Sequence, residues 1–439
     1  MAEFDSRGLP ISTGSPSAAS NYRAGVDLLL SAWPGADQAL QQAIDHDPQF
    51  ALAYAALARL CAITGRSADA RASIATAQEI VARNGSPRET SHVSILSLVV
   101  SGQSVKALES ALTHLDQWPR DVLILSLPLG AFGLFAFSGM ADHDQARVDL
   151  CEKVANRYDA DDWWFLTYRG WSHAENGSVA RGRDLAQRAL ELRRANANAA
   201  HAVAHAMFEQ GAAQEAETLL EGWLPGYDRA GMLHGHLAWH AALSALERDD
   251  PEHALAIYST HVRPSASLGL PINIVSDAVS LLWRLQAYGH DVPAGLWEEA
   301  AHYASTKYPN PGLAFVEIHM GLLAAATGRH VVATDRIVAN ARRIVDGALP
   351  AGPVVPAIGR AALAFANADY AECTRILEPV ATDVARVGGS GAQREIVEDM
   401  LLLAMMRSGQ SARARDLLDR RLHRRPSQRD VRWSRQVEA

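Results

Sequence analysis

The chain has 439 residues, a hydrophobic share of 48%, a net charge of -8 and a pI near 6.1. That apolar share excludes a disordered chain, and the acidic balance gives a nucleic-acid partner no basic face to dock on. The length exceeds what one compact core serves, so several domains or one elongated solenoid are the options. Ala and Leu dominate the apolar residues, which favours helix, because Ala loses no side-chain entropy there and Leu loses little.

Residues 1–20 are polar and rich in Ser, Gly and Pro, with no basic stretch leading into an apolar run, so no secretory signal is expected. Residues 36–70 then follow a tetratricopeptide pattern. Ala39, Leu40 and Ala43 share one helical face, and Asp47-Pro48 stops that helix. A second helix from Ala51 to Thr64 carries Tyr54, Ala55 and Leu57 at its packing positions, and Gly65 closes it. Similar helices recur at 182–192, 196–210, 215–223, 253–258, 366–377 and 411–423, so helix-turn-helix units tile the chain. No segment alternates with period two, so no sheet is expected. Irregular connections are expected at 225–229, 262–271, 308–312 and 347–356. The expected organisation is a polar segment 1–20, helical repeats 21–346, and C-terminal repeats 347–439 in one all-α solenoid curled around a central cavity.

Within the repeats, "RETSHVSIL" places His92 a turn after Arg88 and Glu89, and "DDWWFLTYRGW" brings Trp164 and Tyr168 together. Core packing accounts for those aromatics as readily as a stacking wall for a ligand. The centre is more unusual. "HAVAHAMFEQG" spaces His201, His205 and Glu209 four residues apart, along one helical stripe. "MLHGHLAWHAAL" repeats the spacing with His236 and His240, beside Trp239 and just after His234. Their neighbours are small and apolar, so both helices are expected to be buried, where an imidazole needs a partner. Three explanations stay open. The histidines form an internal structural network; or they line a metal-free pocket for acid-base work; or His201, His205, His236 and His240, with Glu209 as a third-ligand option on the first helix, hold a divalent metal such as zinc. The zincin motif is excluded, because Ala202 stands where its Glu belongs.

Asp277 and His319 each interrupt an otherwise apolar helix and are expected to face the same pocket. In "GGSGAQRE", Ser390 caps a helix whose N-terminus, with Gln393 and Arg394, suits an anion. The basic run from Arg413 to Arg435 is interspersed with acids and reads as a solvated helical face. Cys61, Cys151 and Cys373 are far apart, which argues against disulfides and fits a reducing cytoplasm. No apolar run reaches membrane-spanning length. Nucleotide-binding and serine-elbow motifs are absent, so any catalysis is expected to be hydrolytic or lyase-type without a nucleotide cofactor.

These segments, with "LPIST" at Leu9, "HALAIYSTHVRPS" at His253 and "FVEIHMGLLAA" at Phe315, make the chain resemble the tetratricopeptide repeat protein 38 family from about Gly8 to Leu422. The resemblance implies a solenoid closed around a cavity, with His201, His205, His236, His240, His319, Asp277, Gln393 and Arg394 at family motif positions. It implies no particular reaction. Leu129-Gly130 and the region of Leu403 depart from the pattern of animal relatives, which points to a pocket adapted to an apolar ligand. The expectation is a small-molecule enzyme or binder, with a protein-interaction scaffold as the alternative and a metal-dependent hydrolase as the second alternative. A homodimer is compatible with either.

Overall fold

In the computed structural model, 23 α-helices succeed one another across residues 2–438; Met1 and Ala439 lie outside the described residues. The first repeat forms as its sequence directs. Helix Ala36–His46 ends before Pro48, and helix Ala51–Ile63 follows. Gly65 takes φ 79°, and the Arg66 N–H reaches back to the Cys61 carbonyl at 2.8 Å, closing the helix with a left-handed residue. Small residues set the interhelical distance. Where helix Trp163–Glu175 crosses helix Val179–Leu192, a Cβ on Gly182 would lie 2.5 Å from the Ala174 nitrogen, so only glycine permits that approach.

One departure from the sequence reading lies near the N-terminus. Glu3–Phe4 and Pro10–Ile11 pair as a two-strand antiparallel ribbon. The Asp5 carboxylate accepts the Arg7 and Leu9 N–H groups at 2.9 Å, an Asx-type turn too short to carry alternation. The first helix then starts at Pro16, inside the segment read as a polar tail.

Two large apolar cores flank the middle of the chain. One runs from Ile11 to Phe165; the other runs from Phe208 to Trp433 and crosses position 347 without a break in packing. Smaller clusters between them join Ala197, Ala200 and Ala204 to Leu237 and Ala241. The solenoid also folds back on itself. The Ala197 N–H bonds to the Ser31 carbonyl at 2.9 Å, and the Tyr227 hydroxyl donates to the Ala32 carbonyl at 2.6 Å. Further on, Arg394 meets Asp144 at 2.8 Å and Arg386 donates to the Gly139 carbonyl at 2.8 Å. The concave side is therefore covered by contacts between segments up to some 250 residues apart.

The C-terminal basic run also differs from expectation. Arg421, Arg425 and Arg429 are buried, not solvated. Arg421 bonds Asp430 at 2.7 Å and Asp399 at 2.8 Å, and Arg425 pairs with Glu395. Burying a guanidinium is tolerable only with such partners, and two of these three acids lie on helix Gly391–Arg407, more than 20 residues earlier. No helix among the described residues is long and apolar enough to cross a membrane.

Candidate functional site

Helix Ala197–Glu209 and helix His234–Glu247 cross through their alanine faces. The four-residue spacing puts His201 above His205 and His236 above His240 on the facing sides. All four are buried, and each offers a ring nitrogen within 4.8 Å of the others. Ring centroids lie 4.3 Å apart for His205–His240, 4.5 Å for His201–His205 and 4.8 Å for His201–His236. The Nε2 atoms of His201 and His236 face each other at 3.0 Å. His205 Nε2 and His240 Nε2 have no hydrogen-bond partner.

Carboxylates back two of the rings. Asp277, on helix Pro271–Ala287, approaches His236 Nδ1 at 2.9 Å and is itself bonded by the Ser276 hydroxyl. Glu175, the last residue of helix Trp163–Glu175, places Oε1 at 2.9 Å from His205 Nδ1. Its Oε2 accepts the Gly391 N–H at 2.7 Å. Aromatic rings complete the enclosure. Trp239 stacks on His236 at 5.4 Å and donates its indole N–H to Ser280, while Trp171 stacks on His201 at 5.3 Å.

Burial holds His201 and His240 well below the ordinary imidazole range, and the neighbouring rings lower them further. Burial also lowers His205, against the opposing pull of Glu175. Burial alone would raise Glu175, but His205 brings it below the usual carboxylate range. His201, His205 and His240 are thus held toward the neutral form, the one that ligates a metal.

Donor type and spacing fit a divalent transition metal. Four nitrogens about 2.0–2.1 Å from a tetrahedral ion stand about 3.4 Å apart. The widest separation allowed by the 4.8 Å limit must then shrink by about 1.4 Å, within reach of ring rotation. Carboxylates approach the outer nitrogens of His205 and His236 at 2.9 Å, where they could hold the ring orientation a metal ligand needs. A second grouping, Glu217, Glu221 and His253, lies nearer the surface, and there Arg248 already occupies Glu217.

Several sequence-predicted residues fall elsewhere. Glu209 does not join the histidines. Eight residues along a helix is about 12 Å, so it cannot converge with His201 on one ion. It faces instead a cavity of about 590 Å³ bounded by helices Ala197–Glu209, Gly391–Arg407 and Ser411–Arg424. The predicted anion at the Ser390-capped helix is the protein's own Glu175. Gln393 commits its Oε1 to the capping box with Ser390 and leaves a buried Nε2 without a partner, and Arg394 is held by Asp144 and the Gly389 carbonyl. His319 is buried, bonds the Phe315 carbonyl through Nδ1 at 2.7 Å, and is lowered by burial to about 4. Arg284 lies near His319 and also near His240 and Asp277. His92 belongs to a separate buried network, contacting Asp121 at 3.0 Å alongside Arg88 and His114. Trp164 is fully buried against Tyr158 and the half-buried Tyr168, within the N-terminal core. Glu175 and Trp171 went unrecognised. The only signal was their own four-residue spacing in "WSHAE", which pointed to no partner.

No family model matches the sequence. Solved structures with similar chains include a monomeric mutant of IFIT1 with Gppp-AAAA, 14% identical over 94% of this chain and 88% of that one, with a TM-score of 0.41. Yeast Tom70 is 12% identical over 96% and 95%, with a TM-score of 0.31. The P58(IPK) TPR domain is 14% identical over 90% and 99%, with a TM-score of 0.20. At these values none of them assigns this chain a ligand or an activity. The class that fold and site define is a tetratricopeptide-like α-solenoid, closed on itself, with four buried histidines at its centre.

Proposed function

We propose that the chain is a small-molecule-acting protein of hydrolase type, built on a divalent transition-metal site formed by His201, His205, His236 and His240. One observation carries the reading. Four buried imidazoles converge within 4.8 Å, and two of them face carboxylates at 2.9 Å. A structural network would instead pair its ring nitrogens with one another or with the backbone, yet three, both nitrogens of His205 and Nε2 of His240, make no hydrogen bond. With all four rings bound, an ion would supply Lewis acidity by admitting water or substrate as a fifth ligand. Glu175 and Asp277 would fix the tautomers, keeping Nε2 of His205 and His236 free to ligate. The proposal keeps the chain as a cytoplasmic member of the tetratricopeptide repeat protein 38 family. Its three buried, free cysteines support a reducing compartment.

The test is elemental analysis of untagged protein after zinc loading and exhaustive dialysis. About one equivalent per chain is expected, falling several-fold in His205→Ala and His240→Ala. Retention below about a tenth of an equivalent rejects the metal site, as does retention that both variants leave unchanged.

A second reading is an interaction scaffold with structural histidines. It draws on helix His330–Val345, where Val331, Val338 and Val345 are exposed at a seven-residue spacing. Such a stripe is self-complementary across a twofold axis and would pair two copies of the chain. Sedimentation of the wild type and of Val338→Glu tests it. A dimer that dissociates in the variant supports it, and a monomer in both rejects it.

A further inference from the structure

We infer that the cavity beside the histidine cluster is a binding site for an amine-headed apolar small molecule, with Glu209 as the anchor of its ammonium group. The inference extends the small-molecule reading but does not require a metal at the histidines.

The cavity is about 590 Å³, the size of a typical small-ligand pocket. Much of its wall is apolar, including Phe208, Val384, Leu401, Met405 and Leu417. That wall suits a hydrocarbon or aromatic body. The polar groups in it identify the head by elimination. Glu175 is held by the Gly391 N–H and faces His205. Glu398 is bonded by Arg424 at 2.6 Å, and Glu395 and Glu378 pair with Arg425 and Arg413. Arg394 is held by Asp144. Among the described residues, Glu209 alone of the lining acids has neither a hydrogen bond nor an ion pair.

Glu209 stands one helical turn beyond His205 and faces Gly391, whose missing side chain leaves room in front of the carboxyl. Burial raises this carboxyl to about 7, against a lowering pull from Arg425 and Arg424 and with the neighbouring Glu175 and Glu395 carboxylates adding to the rise. A half-buried carboxyl in this state is stabilised by a cation more than by any neutral group. Of the lining arginines, Arg420 is exposed, and buried Arg425, whose Nη1 makes no hydrogen bond, has its charge paired with Glu395. An anionic head is therefore disfavoured inside.

Binding is written as R–NH3+ with the protonated Glu209 carboxyl, giving the ammonium-carboxylate pair and one released proton. Glu175 links this event to the histidines, since it lines the same cavity and contacts His205.

Isothermal titration of the full-length chain with n-octylamine, n-octanol and octanoate tests the assignment. Octylamine is expected to bind about 10- to 100-fold more tightly than octanol, the range for a charge-assisted pair over a neutral one. Octanoate is expected to bind weakest. Glu209→Gln should abolish the preference for amine over alcohol while leaving octanol affinity unchanged. The wild type supplies a second readout that does not depend on any variant folding. Comparing buffers of different ionisation enthalpy near pH 7 should show about half a proton released per octylamine bound. Equal affinity for amine and alcohol, octanoate binding best, or no proton release each overturns the inference. The same titrations on metal-free protein keep its outcome separate from that of the metal site.

Discussion

Acidification from about pH 7.5 to about pH 5.5 should destabilise this protein, because its buried neutral imidazoles outweigh the raised carboxyl of Glu209. The reason is the population of buried neutral imidazoles. His201 and His240 are held well below the ordinary range by burial, and His319 is lowered to about 4. In the unfolded chain each takes up a proton near 6.5, whereas in the folded chain it stays neutral to lower pH. The unfolded state therefore binds more protons in this window, and stability falls as pH falls. Each such group approaches about 1.4 kcal/mol per pH unit below its unfolded value. For the three together, the step from about pH 6.5 to 5.5 amounts to about 3 kcal/mol; buried His234, also lowered to about 4, adds about 1 kcal/mol, and Glu209, which takes up its proton in the folded chain, offsets about as much. Urea denaturation followed by tryptophan fluorescence at both ends of the window measures it. His319→Met should remove about a third of the slope without touching the cluster. A urea midpoint that stays flat across the window would refute the claim that these rings are buried and neutral.

Other consequences are open to direct measurement. Asp277→Asn and Glu175→Gln should each weaken zinc affinity about 10- to 100-fold in a competition assay while the helical circular dichroism persists. Asp121→Ala should cost about 3–5 kcal/mol in chemical denaturation, because Arg88, His92 and His114 lose a shared buried partner. Asp121 is held well below its ordinary range, so its contribution is present above about pH 4 and is lost only as pH falls further. Gly389→Ala should lower the melting temperature, since Gly389 has φ 79° and its Cβ would lie 2.5 Å from the Phe315 ring.

The repeat fold was legible because it is written locally. Asp47-Pro48, Gly65 and the alanine-rich helix faces each act within a few residues of themselves. The histidine stripes were legible for the same reason, since a four-residue spacing fixes one helical face. What joins separate helices was not. Glu175 meets Gly391 across 216 residues, and nothing in "WSHAENG" reveals that it serves as the anion at the Ser390-capped helix. Arg421 and Arg425 read as surface charges because their acids stand on another helix. Glu209 was placed with the histidines by angular position alone, although its distance along the helix axis sends it into the neighbouring cavity.

The central claim is that four imidazoles, and no carboxylate, form the inner shell of a metal site. X-ray absorption on zinc-loaded, untagged protein tests it most directly. The account predicts four nitrogen scatterers at about 2.0–2.1 Å, with the imidazole multiple-scattering pattern reduced in His240→Ala. A zinc edge no stronger than that of the dialysis buffer, or a mainly oxygen shell unaffected by that substitution, would contradict it.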